Sequence, residues 1–223
     1  MPSARAERRP AAILFDLDGT LVDTAPDLGA ALNRLRAELG LAPVPLEGLR
    51  AHTSSGVRGM LHAGLGMATD HPDYRDCERR FLAHYGDGLC EQSTLFPGID
   101  HLIGILDRDG TPWGIVTNKR QRFTLPLLRQ LDIDRRAACI VSGDSAARAK
   151  PHANPMLLAC ALVGCPPEHT WYVGDDRRDI VAGRTAGMRT IAVRYGYLGD
   201  GPDIDQWGAD HIVDFVEEIA VLA

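Results

Sequence analysis

The chain of 223 residues contains no apolar run approaching the roughly 20 residues that a membrane-spanning helix requires. Positive charge is not in excess either: 24 Lys+Arg stand against 30 Asp+Glu, a formal net charge of −6. Nucleic-acid affinity comes mainly from cationic neutralisation of phosphates, so a general nucleic-acid binder is excluded, whereas a small phosphorylated ligand, which needs only local positive charge, is not. The five cysteines, Cys77, Cys90, Cys139, Cys160 and Cys165, are odd in number and form no C-x-x-C. Paired disulfides and a structural zinc site are therefore not expected, and reduced thiols in a cytoplasmic protein are the simplest reading. The eight histidines make no H-E-x-x-H or other metal pattern. Internal repeats and low-complexity segments are lacking, and residues 1–10, MPSARAERRP, read as a polar, basic tail with no signal-like apolar segment behind it.

What is present is 45% hydrophobic residues, enough for a full core, arranged in short apolar runs. The first is Ala11–Leu17, after Pro10; later come Trp113–Thr117, Ala138–Ser142, Thr170–Gly174, Thr190–Arg194 and His211–Asp214. Segments with helical spacing lie between them, at Arg122–Gln130, Pro155–Leu162 and Asp179–Ala186. Strand, helix, strand, helix is the pattern of a parallel α/β sheet with right-handed crossovers. From Ala25 to Phe96 no strand is expected. Leu28, Ala31, Leu32, Leu35 and Leu39 share a helical face ending at Gly40, and Leu46–His52, Ser55–Leu65 and Asp73–Leu89 also read as helices. The division is therefore an α/β core of residues 1–24 and 97–223 interrupted by a helical domain of residues 25–96. Trp113, Trp171 and Trp207 read as anchors of the core, and His84 and Tyr85 as packing residues ahead of residues that face the cleft.

In an open parallel sheet, ligands bind beyond the carboxyl ends of the strands. The first strand leads into Asp16-Leu17-Asp18-Gly19-Thr20 and the second into Thr117-Asn118-Lys119. Lys150-Pro151 follows the third, and the fourth ends in Gly174-Asp175-Asp176, with Asp179 just beyond. Taken singly, an Asp-Gly is a turn and an Asp before a helix is a cap. Four segments that converge on one edge with carboxylates, a hydroxyl, an amide and an ammonium point to catalysis.

These residues resemble the haloacid dehalogenase superfamily. FDLDGTLVDTAP (Phe15–Pro26), VTNK (Val116–Lys119), Lys150-Pro151 and VGDDRRD (Val173–Asp179) are similar to its four motifs, in order and across almost the whole chain. The resemblance implies a Rossmann-like core with an inserted all-helical cap. It implies that Asp16 is the nucleophile, forming an aspartyl-phosphate, and that Asp18 protonates the leaving oxygen and later deprotonates water. The implied cofactor is Mg²⁺, held by the carboxylates of Asp16 and Asp175 and the backbone carbonyl of Asp18. Thr117 and Asn118 are expected on phosphoryl oxygens, Lys150 as their counter-charge, Gly19 as space for backbone near the phosphate, and either Asp176 or Asp179 as support for the metal or for Lys150. An intact D-x-D favours phosphoryl transfer over dehalogenation, because a carbon–halogen bond has no leaving oxygen to protonate.

In the helical insertion, Ser54, Ser55, Gly56 and Arg58 form the segment expected to touch the substrate, with Arg58 a fork for a second anionic group. The reading is a phosphatase of a small phosphorylated metabolite, phosphoglycolate-like, in a monomer or homodimer with no nucleic-acid or membrane partner. VRYGY (Val193–Tyr197) and WGAD (Trp207–Asp210) resemble a branch that includes N-acetylmuramic acid 6-phosphate phosphatases, the alternative. A sugar-phosphate mutase and a catalytically silent binding module are the rivals. The first would form an isomer rather than release phosphate, and the second would be indifferent to EDTA.

Overall fold

The computed structural model describes residues 9–199 and 201–222. The tail reading therefore falls, for residues 1–8, outside the described residues. In chain order the elements are β1 (Ala12–Phe15), β2 (Val22–Asp23), α1 (Ala25–Glu38), α2 (Gly56–Leu65), α3 (Tyr74–Asp87), β3 (Thr94–Leu95) and α4 (Ile99–Asp109). There follow β4 (Trp113–Val116), α5 (Gln121–Gln130), β5 (Cys139–Val141), α6 (Asn154–Val163), β6 (Thr170–Gly174), α7 (Arg177–Ala186), β7 (Arg189–Val193), β8 (His211–Val213) and α8 (Val216–Leu222).

Six strands form one parallel sheet in the order β5-β4-β1-β6-β7-β8. Alternate side chains of each strand go to opposite faces. Ile13, Phe15, Trp113, Ile115 and Val173 join Leu102 and Leu106 of α4 in one core cluster. Leu14, Val116, Val141 and Tyr172 join Met156 and Ala159 of α6 in another. β1 lies at the centre, with β4 on one side and β6 on the other. The chain thus winds outward from β1 in both directions, and the crevice at the carboxyl end of β1 is where such a sheet takes its ligand.

Between β1 and the rest of the sheet stand α1, α2 and α3, a helical cap with its own core of Leu28, Leu32, Leu35, Met60, Phe81 and Tyr85. Pro26 opens α1, where a missing N–H costs nothing, and the chain leaves that helix through Gly40 at φ 71°. Two expectations need correction. The stretch from Ala25 to Phe96 does contain a strand: Thr94–Leu95 pairs antiparallel with Val22–Asp23. Two residues on each side are too few to show a period, and their partners lie far apart in sequence. The second is Leu46–His52, which is two 3₁₀ turns, Leu46–Gly48 and Arg50–Ser55, rather than an α-helix. The short hydroxyl side chains Thr53, Ser54 and Ser55 compete for backbone hydrogen bonds and disfavour a regular helix. Sequence reading also passed over α4 and α8.

Candidate active site

β1 ends at Phe15, so the Asp16–Asp18 spacing is not that of an extended strand. The chain turns instead: the N–H groups of Thr20, Leu21 and Val22 all donate to the carbonyl of Leu17, and Asp18 bridges to Val22. The turn brings Asp16 and Asp18 to one cavity. Gly19, at φ 85°, does not line it. A Cβ there would lie 2.1 Å from Oδ2 of Asp175, so the missing side chain makes room for that carboxylate. Gly196 clears the opposite side, where a Cβ would come within 2.2 Å of the Asp175 Cβ. Between them Asp175 accepts from Thr20 Oγ1 at 3.0 Å, the Tyr197 N–H at 2.9 Å and Ser54 Oγ at 3.0 Å.

Lys150 is buried, and its ammonium meets Asp16 Oδ1 at 2.8 Å, Asp179 Oδ1 at 2.6 Å, the Val116 carbonyl at 3.0 Å and the Tyr172 hydroxyl at 3.0 Å. Burial opposes its charge, but the two carboxylates outweigh that and hold the lysine pKa above its ordinary value. Asn118 clamps the lysine backbone: its Nδ2 donates to the Lys150 carbonyl and its Oδ1 accepts the Lys150 N–H. That amide lines the cavity; its Oδ1 and one Nδ2 hydrogen serve Lys150, and its second Nδ2 hydrogen is the one left for a phosphoryl oxygen. Thr117 Oγ1 accepts from the Lys119 N–H.

The two acidic residues whose roles the sequence left open are distinct. Asp176 caps α7 in a reciprocal box with Asp179 and takes both arms of Arg178, at 2.8 and 2.7 Å. Burial raises the Asp176 pKa, but the Arg178 bonds prevail and hold it below the ordinary carboxylate value. Asp179 is the one that reaches Lys150.

One oxygen each from Asp16, Asp175 and Asp179 lies within 4.8 Å of the others. Three buried carboxylates share a single ammonium, which leaves a local charge of about −2 that burial makes costly. Asp175 is accordingly pushed up to about 7, by burial first and the negative charge of Asp16 second, and burial likewise raises Asp16 and Asp179. An all-oxygen donor set with that excess charge fits a divalent cation such as Mg²⁺.

The cap closes over this floor. Its 3₁₀ segment lays Ser54 on Asp175, and Arg178 donates to the Ser54 carbonyl at 2.5 Å. Arg50 pairs with Asp23 at 2.7 Å and covers the Tyr197 ring, beside the paired strands. The cavity between cap and floor measures about 260 Å³. Ser55 and Gly56 line it, as do Asp16, Asp18, Thr117, Lys150, Asp176 and Asp179. Arg58 does not; it is exposed, near Tyr74. Residues outside the expected set line it as well, among them Lys119, whose Nζ reaches Asp18 Oδ1 at 2.7 Å; Arg178; and Tyr85, for which packing was favoured over a place facing the cleft. Asp18 Oδ1 also accepts from Thr24 Oγ1 at 2.5 Å. Lys119 was visible in VTNK as a cation at a strand end. For Tyr85 no sequence signal separates a core ring from a lining one.

Fold and site together define the class: a hydrolase with an aspartate-rich, cation-assisted centre of the kind that works through a phosphoaspartate on small phosphorylated metabolites. The chain belongs to the haloacid dehalogenase-like hydrolase family, whose model matches residues 13–193. It is 41% identical over 208 residues to an N-acetylmuramic acid 6-phosphate phosphatase of Pseudomonas aeruginosa, covering 93% of this chain and 92% of the relative. It is also 41% identical over 211 residues to a phosphoglycolate phosphatase of Xanthomonas campestris, covering 93% of each. Among solved structures, a predicted phosphoglycolate phosphatase of Haemophilus somnus superposes with a TM-score of 0.84 at 26% identity, over 97% of this chain and 99% of that one. Among the described residues no helix is long and apolar enough to cross a membrane.

Proposed function

We propose that the protein is a Mg²⁺-dependent phosphatase acting through an aspartyl-phosphate on Asp16, with N-acetylmuramic acid 6-phosphate as its substrate ahead of phosphoglycolate. A carboxylate oxygen of Asp16 attacks phosphorus, and the leaving-group oxygen departs with a proton from Asp18. Asp18 then takes a proton from water, whose oxygen attacks the phosphoryl group and frees Asp16 and inorganic phosphate. Lys150, 2.8 Å from Asp16, aims the nucleophile and offsets its charge. Asp16, Asp175 and Asp179 would hold the cation, which supplies charge neutralisation between the carboxylate and the dianionic ester. In this reading residues 25–96 are the lid on a core of residues 1–24 and 97–223, and the lid excludes water during the first step.

The observation that carries the substrate choice is the far wall of the cavity. Phe81 and Leu82 of α3 and Phe123 of α5 give that wall a hydrocarbon face, with Glu78 of α3 at the same cavity. A sugar ring with its acetyl and lactyl methyl groups has hydrocarbon to lay on such a wall; a two-carbon ester has a single methylene. Phosphoglycolate remains the second reading, favoured by the exposed Arg120 at the cavity as a partner for its carboxylate. The names of the two relatives divide evenly at the same identity.

Measuring kcat/KM for phosphate release from N-acetylmuramic acid 6-phosphate, phosphoglycolate and a panel of hexose phosphates tests the choice. A clear preference for the amino-sugar ester is expected. Preference for phosphoglycolate by ten-fold or more reverses the order, and isomer formation without phosphate release means a mutase. No turnover of any ester with Mg²⁺ leaves the silent module.

A further inference from the structure

Tyr85 projects from α3 into the cap core and is 2% exposed, yet its hydroxyl proton has no acceptor; the Lys119 ammonium beside it can only donate. Leaving a buried hydroxyl unpaired costs free energy that a phenylalanine in the same place would avoid. The ring itself is well held: it packs on Phe123 with centroids 5.3 Å apart, and the Lys119 ammonium stands 4.8 Å from its centroid. Lys119 in turn pairs with Asp18 at 2.7 Å. The phenol therefore stands at the cavity beside the pair formed by Lys119 and the proposed leaving-group acid, close enough for the charges of Lys119 and Asp18 both to act on it.

We propose that the Tyr85 hydroxyl is a specificity-determining donor, held unpaired in the free enzyme for an acceptor oxygen on the leaving group of the substrate. The inference rests on the phosphatase reading of the site and adds the chemical class of leaving group: one bearing a hydroxyl, ring or carboxylate oxygen close to the ester oxygen. Burial pushes the phenol up to about 12, so it is a neutral donor throughout the working range of pH. Phe123, Phe81 and Leu82 offer it no acceptor, and the Oδ1 of Asp18 at the same cavity is engaged by Lys119 and Thr24.

The test is Tyr85→Phe, assayed with Mg²⁺ on N-acetylmuramic acid 6-phosphate, phosphoglycolate and phenyl phosphate, the last having no oxygen on its leaving group beyond the ester. The expected result is a loss in kcat/KM on the better of the two metabolites about 3- to 10-fold larger than the loss on phenyl phosphate, the value of one hydrogen bond. The thermal midpoint of the free variant should equal or exceed the parent's, since an unpaired buried hydroxyl has been removed. Equal losses on all esters, or no loss, overturn the subsite while leaving the phosphatase reading intact. A midpoint below the parent's also overturns it, because the hydroxyl then serves the fold. A parent that releases no phosphate from any ester sinks the phosphatase reading, and the subsite with it.

Discussion

On the core side of the cavity, Lys150 meets four partners within 3.0 Å and Asp175 accepts three hydrogen bonds. On the cap side, Phe81 and Leu82 offer hydrocarbon, Ser55 and Glu78 are polar exceptions, and the Tyr85 hydroxyl proton has no acceptor. The two surfaces face the same ligand with opposite economies of polar groups. Charge development on a phosphoryl group is the same for any monoester, so the floor can be fully wired in advance. Leaving groups differ, and discrimination among them comes from shape and from a few unsatisfied donors. The contrast predicts that damage to the floor removes chemistry and damage to the cap redistributes it among substrates.

The largest effect should follow Asp16→Asn, a nearly isosteric loss of the nucleophile. Turnover of every ester should fall by about four powers of ten or more while the thermal midpoint is kept. A variant within ten-fold of the parent, after contaminants are excluded, breaks the assignment of the floor.

Lys150→Met should come next. Activity should drop by roughly two to three powers of ten. Asp16 and Asp179 lose their shared cation inside the protein, so chemical denaturation should also show a stability loss of about 3–5 kcal/mol. An equally stable variant would mean that the carboxylates do not depend on the lysine.

The cation effect should be smaller and should depend on pH in a defined direction. In metal-free protein Asp175 titrates near 7 against an ordinary value of 3.8, with Asp16 and Asp179 raised as well. The folded chain keeps protons that the unfolded chain has lost, so without metal its stability falls as pH rises through that window. Mg²⁺ takes the deprotonated carboxylates. Its stabilisation, about 2.7 kcal/mol at one hundred times Kd, should therefore be nearly complete at about pH 8 and much reduced at about pH 5. Thermal denaturation in EDTA and in Mg²⁺ at both pH values measures it, and a larger Mg²⁺ effect at the acid value contradicts the cluster as the binding site.

The smallest effect is expected at Arg58. Sequence reading placed it in the substrate site, but it stands outside the cavity. Arg58→Ala should change kcat/KM by no more than about two-fold on any ester, the usual result for an exposed arginine. A selective ten-fold loss on one metabolite would return it to the site and redraw the cap surface.

The sheet and the floor were legible in the chain. Short β-rich runs at wide spacing, each followed by a polar motif, suffice to align strand ends in parallel, and strand ends carry Asp16, Thr117, Lys150 and Asp175 to one edge whatever the detail of packing. Local chemistry also marked the reciprocal cap of α7, since Asp176 and Asp179 have the spacing of a capping box. Tertiary structure alone decided the rest. Asp179 and not Asp176 reaches Lys150, because the box turns one carboxylate toward Arg178 and the other inward. Gly19 serves Asp175 because residues 156 positions apart meet there. Tyr85 lines the cavity and Arg58 does not, although both lie on cap helices, because rotation about a helix axis is set by packing and not by the residue's own type. Spacing along a chain specifies which residues share a face; only the contacts made by distant segments specify what that face looks at.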